Sequence, residues 1–375
     1  MRRTISLLIA IVLILVTLGI LILASASSEK YDDAGYFVKR QLFWMVLAFC
    51  AAAVAARFDY RLYQKLAIPA AVISVCLLIL VRIPGIGTVI NGSYRWLKFG
   101  PITIQPSEIA KLAMIMLFSW WLARNQRRIN ELKLGILIPF GMLGIFAMLL
   151  VIEPDFGTTM LVSSVAVSMM FLGGVSIAPL LITGLAGLMV VLVLIFHNPE
   201  RMARILAFLD PQKYEQDKAW QLINSLRAFA GGKIDGVGFG NSMQKYHYLP
   251  EAHTDFIFPI IGEELGLITS LIVVLMYVIL FVLGLRIALN ARDDFGRLLA
   301  YGITLMITIQ ALINFAVVTG CVPTKGLALP FISYGGSSLV ISGVMIGILV
   351  NVAHTSIKAP SKGAGNPFKD RARKV

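Results

Sequence analysis

Apolar residues in this chain come in long blocks rather than at the 3.6- or 2-residue spacing of amphipathic elements. Ten blocks lie near residues 5–25, 39–56, 66–82, 107–123, 134–152, 157–174, 177–197, 257–285, 298–318 and 333–355. Most run for about 17–22 residues, enough helix to cross roughly 30 Å of hydrocarbon. The pattern predicts an all-α polytopic membrane protein with about ten transmembrane helices. The first block, Ile5 to Ala24 behind Met1-Arg2-Arg3, is too long for a signal-peptide core of about 7–15 residues and reads as a retained span. Residues 1–357 form one transmembrane domain. Residues 358–375, with Pro360, Gly363, Gly365 and Pro367 among basic residues, read as a disordered tail on the anionic cytoplasmic leaflet.

The polar connections set the orientation. Alternate short loops hold Arg57, Arg61 and Lys65; Arg124, Arg127, Arg128 and Lys133; and Arg286, Arg292 and Arg297. With Lys358, Lys362, Lys369, Arg371, Arg373 and Lys374 in the tail, this places both termini in the cytoplasm. A large extracytoplasmic loop, about 198–256, then separates spans seven and eight. Arg201 to Ile205 and Trp220 to Phe229 read as short amphipathic surface helices within it. Glycines 231, 232, 236, 238 and 240 forbid regular helix after them.

Composition agrees with a membrane protein: 58% of residues are hydrophobic and 14% charged, against roughly 45–50% and 25% in soluble domains. The net charge of +13 does not indicate nucleic acid, because the basic residues flank the apolar blocks instead of lining one surface. Cys50, Cys76 and Cys321 lack metal-ligand or CxxC spacing and read as small buried hydrophobes, against a disulfide or metal site.

Charges at membrane depth are expensive and need a reason. Glu108 and Lys111, three apart at the start of the fourth span, form either a packing pair or the polar wall of a cavity. Glu153-Pro154-Asp155-Phe156-Gly157 makes a tight turn whose carboxylates are either solvated or, at Asp155, a helix cap. Thr254 or Asp255 can cap the helix that follows; Asp255 can equally be a reactive carboxylate where loop meets membrane. Glu263 and Glu264 lie inside an apolar block and require partners. Residues 323–338 form a glycine-rich hairpin where Lys325, Ser333, Ser337 and backbone N–H groups could hold a phosphate, or where small residues pack helices.

Several of these segments together resemble the SEDS family (shape, elongation, division and sporulation proteins). They are Asn91-Gly92-Ser93-Tyr94-Arg95-Trp96, Pro106-Ser107-Glu108 with Lys111, Glu153–Gly157, and Gly238-Phe239-Gly240-Asn241-Ser242 with Gln244-Lys245. Leu249–Phe258, Gly262–Gly266 and Pro323–Ser338 complete the set, in family order over essentially the whole chain. The wording of 249–266 is nearer the division branch, FtsW, than the elongation branch, RodA. One departure is Pro259, where the family has a small residue; it is expected to kink the start of the eighth span.

The resemblance implies a bacterial inner-membrane peptidoglycan glycosyltransferase that joins lipid II into β-1,4 glycan strands. It carries the catalytic aspartate onto Asp255, the sensitive basic positions onto Arg95 and Lys325, and the intramembrane pair onto Glu108 and Lys111. Lys218 and Lys245 are further candidates for holding the pyrophosphate. A divalent cation, Mg or Mn, fits such chemistry, although no ligand spacing declares a metal site and no organic cofactor is expected. The implied partner is a class B penicillin-binding protein, with spans eight and nine and the long loop as its docking region. Competing readings are a lipid II flippase, whose path Glu108, Lys111, Glu263 and Glu264 could line, a non-catalytic division scaffold, and a secondary transporter. The last lacks paired broken helices.

Overall fold

A computed structural model describes residues 1–26, 35–90, 93–100, 102–245, 249 and 253–357. The expected basic tail at 358–375, Asn91-Gly92, Tyr248 and Pro250 to Ala252 lie outside the described residues.

All ten expected spans are helical. The first seven are α1 (Arg2–Ala26), α2 (Tyr36–Arg57), α3 (Arg61–Leu80), α4 (Pro106–Arg124), α5 (Ile138–Ile152), α6 (Phe156–Leu172) and α7 (Ile177–Phe196). Two shorter helices, α8 (Pro199–Leu209) and α9 (Trp220–Gly232), lie in the long loop where amphipathic helices were expected. The last three spans are α10 (Ile257–Leu289), α11 (Asp294–Val318) and α12 (Gly336–Ile357). Among the described residues eight segments are long and apolar enough to cross a membrane; α4, which carries Glu108 and Lys111, and α6, with 17 residues, are the two other expected spans.

The packing uses small residues to bring backbones together, as expected where lipid gives no hydrophobic drive for association. Gly343 and Gly347 of α12 face Ala48 and Ala52 of α2 so closely that an added methyl at Gly343 would lie 2.8 Å from the Ala48 carbonyl oxygen. Gly302 of α11 leaves room for Ile115 of α4 and Met169 of α6. By contrast α7 is exposed along nearly its whole length, with only Leu180 buried.

Two features depart from the helical pattern. Residues between α3 and α4 form an antiparallel meander of β1 (Gly87–Ile90), β2 (Ser93–Phe99) and β3 (Ile102–Ile104). Its signal was present as alternating residues around Asn91-Gly92 and before Gly100-Pro101, both turn-forming pairs. Pairing skips from Thr88↔Trp96 to Val89↔Tyr94, so Arg95 is the extra residue of a bulge, a device that re-aims a side chain.

The second departure is in α10. Pro259 does not kink it, because a proline in the first turn removes an N–H that has no helical partner there. The break falls at Gly266, whose φ of 77° is open to glycine. The glycine-rich loop supplies the bonds lost at the break: Val237 and Gly238 N–H donate to the Glu263 and Glu264 carbonyls, and Leu267 N–H donates to Lys233 O.

Candidate active site at the loop end of the bundle

One end of the bundle carries the start of α1 and the end of α12; the other gathers the sheet, the 153–157 turn, the turn before α10 and the loop before α12. Asp255 lies in that turn, half-buried, and does not cap α10: the cap position is Phe256, with no side-chain bond. Its carboxylate instead abuts Gly326, where a methyl group would collide with Asp255 Oδ2. Backbone bonds hold this approach in place. Asn314 Nδ2 of α11 donates to both Asp255 O (2.8 Å) and Leu327 O (2.7 Å), and Tyr334 N–H donates to His253 O at 3.0 Å. Phe37 packs on the His253 and Tyr334 rings at 4.7 and 5.0 Å.

Glu108 and Lys111 take the structural alternative. Lys111 Nζ meets Glu108 Oε2 at 2.7 Å and donates to Gln310 Oε1 at 2.9 Å; Gln310 Nε2 then donates to Ala328 O at 2.7 Å. The pair is buried and tethers the last loop through α11, so it does not line an open path. Sequence reading missed Gln310 and Asn314. Their signal was two amides spaced i,i+4 on one face of an apolar span.

The carboxylates of the 153–157 turn are not solvated. Glu153 is fully buried, and its carboxylate accepts no hydrogen bond among the described residues. Burial, reinforced by Asp155 and opposed by Arg95 and Arg82, pushes its pKa up to about 8. Asp155 caps α6, accepting from Thr158 N (3.0 Å) and Thr158 Oγ1 (2.8 Å). Arg95, aimed by the bulge, donates from Nε to Glu153 O (3.0 Å) and from a terminal nitrogen to Pro154 O (2.5 Å). Gly157 packs against Leu327, joining this turn to the Asp255–Gly326 contact.

Lys325 sits beside Gly326, half-buried, with Nζ 4.0 Å from the Phe156 ring centroid. Arg201 of α8 places its guanidinium carbon 4.9 Å from the same centroid. Burial lowers the Lys325 pKa to about 8, assisted by Arg201 and Arg204 and opposed by Asp155.

Four other expected ligands lie elsewhere or face inward. Lys245, 3% exposed at its side chain, meets Glu264 Oε1 at 3.4 Å and donates to Ser25 Oγ and Gly240 O. Glu263 accepts from the Ser242 hydroxyl and the N–H groups of Met243 and Gln244. The partners that Glu263 and Glu264 required are thus a lock between α10, α1 and the loop. Lys218, 42% exposed, approaches Asp217 at 4.0 Å. Ser333 Oγ accepts from Leu329 N at 2.7 Å, and Ser337 Oγ accepts from Gln105 N at 3.4 Å; both are buried and shape the hairpin. Among the described residues no three His, Cys, Asp or Glu side chains converge as a metal site.

Comparison with known proteins adds a lineage to this geometry. Residues 5–358 match the family model of the cell cycle proteins FtsW, RodA and SpoVE. A probable peptidoglycan glycosyltransferase FtsW of Trichlorobacter lovleyi is 42% identical over 360 residues, 95% of this chain and 94% of that one. The stage V sporulation protein E of Bacillus subtilis is 40% identical over 357 residues, covering 93% and 97%. A chain of a peptidoglycan synthase complex, solved to show coordinated polymerization and crosslinking, superposes with a TM-score of 0.79 at 26% identity, covering 94% and 98%. The crystal structure of Thermus thermophilus RodA gives 0.71 at 26% identity, covering 94% and 97%.

Proposed function

The chain belongs to the cell cycle protein family of FtsW, RodA and SpoVE, and on that premise we propose that it polymerises lipid II with Asp255 as the base. It is a multi-pass membrane protein and a peptidoglycan glycosyltransferase. The acceptor's 4-hydroxyl gives its proton to the Asp255 carboxylate while its oxygen bonds to the anomeric carbon of a second lipid-linked unit. The bond from that carbon to the phosphate oxygen breaks on the opposite face. Undecaprenyl pyrophosphate leaves with the electron pair, and the configuration inverts.

The observation that carries this reading is the Asp255–Gly326 contact beside Lys325. It brings a carboxylate for the incoming hydroxyl against the loop that carries a cation for the leaving group. Asn314 is the positioning residue that holds both loops in register. A divalent cation would neutralise part of the leaving charge. Asp155 would offer such an ion one carboxylate, as Mg is commonly held. The charge distribution of the loops supports the bacterial inner membrane with both termini cytoplasmic. The likeness to a synthase complex supports a crosslinking partner, a class B penicillin-binding protein, in division or elongation.

The flippase reading loses the path it needed, because Glu108, Lys111, Glu263 and Glu264 are all bonded within buried clusters. Purified protein in liposomes with lipid II tests the assignment. Glycan polymer is expected from the parent chain and not from a folded Asp255→Asn variant. Polymer at near-parent rate from that variant would remove Asp255 from the chemistry, and lipid II translocation without polymer would replace the enzyme by a flippase.

A further inference from the structure

Around Phe156, positive charge outweighs negative. Lys325 Nζ and the Arg201 guanidinium share its ring at 4.0 and 4.9 Å. Arg204, one turn further along α8, adds to the field at Lys325. Facing Lys325 is Asp155, whose carboxylate already caps α6, while Asp255 abuts the neighbouring Gly326. Like charges crowded in a half-buried place repel, and such an arrangement suits a site that an anion completes.

Arg95 is not one of these cations. Two of its guanidinium nitrogens are bonded to the carbonyls of Glu153 and Pro154, in the turn that presents Phe156. Arg201, in contrast, makes one guanidinium hydrogen bond among the described residues, from a terminal nitrogen to Leu194 O at 3.1 Å, and its guanidinium carbon lies over the Phe156 ring. The α8 helix is fixed at its start, with Asn198 Oδ1 accepting from Glu200 and Arg201 N–H and Pro199 in the first turn.

We propose that Arg201 and Arg204 of α8, together with Lys325, form the subsite for the pyrophosphate of the lipid-linked substrate, and that Arg95 acts only as a positioning residue beneath it. This rests on the glycosyltransferase reading above. Two guanidinium groups and one ammonium match a pyrophosphate diester, and they match better the leaving group, which gains charge as the sugar bond breaks. The Phe156 ring is a flat floor that holds two of the cations and keeps water from them. Lys325, with its pKa lowered to about 8, is drawn back to its charged form by the arriving anion, so binding near pH 8 takes up part of a proton.

The test uses the full-length protein in liposomes, with lipid II as substrate and inorganic pyrophosphate as inhibitor. Arg201→Gln is expected to raise the KM for lipid II about tenfold or more and to weaken pyrophosphate inhibition in parallel, with part of both recovered in Arg201→Lys. Arg204→Gln shifts both less, since Arg204 is exposed. The alkaline limb of the pH profile moves upward in Arg201→Gln, because Lys325 loses a repelling neighbour. Arg95→Gln lowers kcat and leaves pyrophosphate inhibition unchanged. Unchanged KM and inhibition in Arg201→Gln overturn the proposal. So does a loss of kcat and thermal stability alone, which would make Arg201 structural. Competition by phosphatidylglycerol that depends on Arg201, with the KM for lipid II unmoved, assigns the subsite to bulk lipid headgroups and also overturns it. Arg201-dependent pyrophosphate binding by a parent chain that makes no polymer leaves the subsite standing and removes the enzyme reading.

Discussion

At the end of the bundle that carries the start of α1 and the end of α12, the polar groups around Tyr60 are paired. Tyr60 N–H donates to Asn351 Oδ1 (2.9 Å), its hydroxyl donates to Asp293 Oδ2 (2.6 Å), and Asn351 Nδ2 donates to Ala56 O (2.8 Å). Asp293 also caps α11 through Gly296 N–H at 2.8 Å and lies 3.8 Å from Arg61. Burial and the Asp293 bond raise the Tyr60 pKa, so the hydroxyl stays protonated and donating. At the loop end, the Glu153 carboxylate accepts nothing among the described residues, and Lys325 is crowded by other cations. The paired end fixes α2, α3, α11 and α12 to one another. The loop end keeps Glu153 unbonded among the described residues and Lys325 crowded by cations, and perturbed titration of this kind gathers at functional sites.

Substitutions at the two ends should therefore separate activity from stability. The largest effect belongs to Asp255→Asn, which should cut the polymerisation rate by about a hundredfold or more while the thermal midpoint stays near that of the parent. Asn314→Leu comes next. It leaves the Asp255 and Leu327 carbonyls without their donor, costing about 1–3 kcal/mol of stability, and it should lower kcat, since this amide holds the Asp255 turn against the 325–327 loop. An unchanged kcat would deny Asn314 its positioning role.

Asp293→Ala tests the paired end. Loss of the α11 cap and the Tyr60 bond should cost about 1–2 kcal/mol in chemical denaturation, with kcat per folded molecule unaltered. The smallest effect is expected from Glu153→Gln. A carboxyl raised from 4.5 to about 8 contributes stability that is fully present below about pH 4.5 and is lost as pH rises through about 8. The Gln variant lacks that loss, so its thermal midpoint should gain on the parent at pH 9 and match it at pH 4. An equal offset between the two proteins at both pH values would mean that burial does not raise the Glu153 pKa.

Sequence reading found Asp255 and Lys325 as separate candidates; it did not find the Asp255–Gly326 contact that brings their two loops together. It placed Arg201 on an amphipathic helix and Arg95 among the phosphate ligands, because charge and spacing do not say whether a guanidinium meets a ligand or a carbonyl. Lys245 was misplaced for the same reason: from its loop position alone, a lysine near glycines looks available, and only the return of α10 brings Glu264 against it. The β meander was passed over because long apolar blocks dominated the pattern around it.

The chain by itself determined the spans, their order, the long loop and the family, because those follow from block length, the side on which positive charge falls and local wording. The tertiary structure decided which polar residues are locked, which are left waiting, and that Asp255, Lys325 and Arg201, separated by 70 and 54 residues, come to one end of the bundle. Burial, like-charge crowding and shared hydrogen bonds are properties of neighbours in space, and neighbours in space are set by how helices pack, not by the order of residues along them.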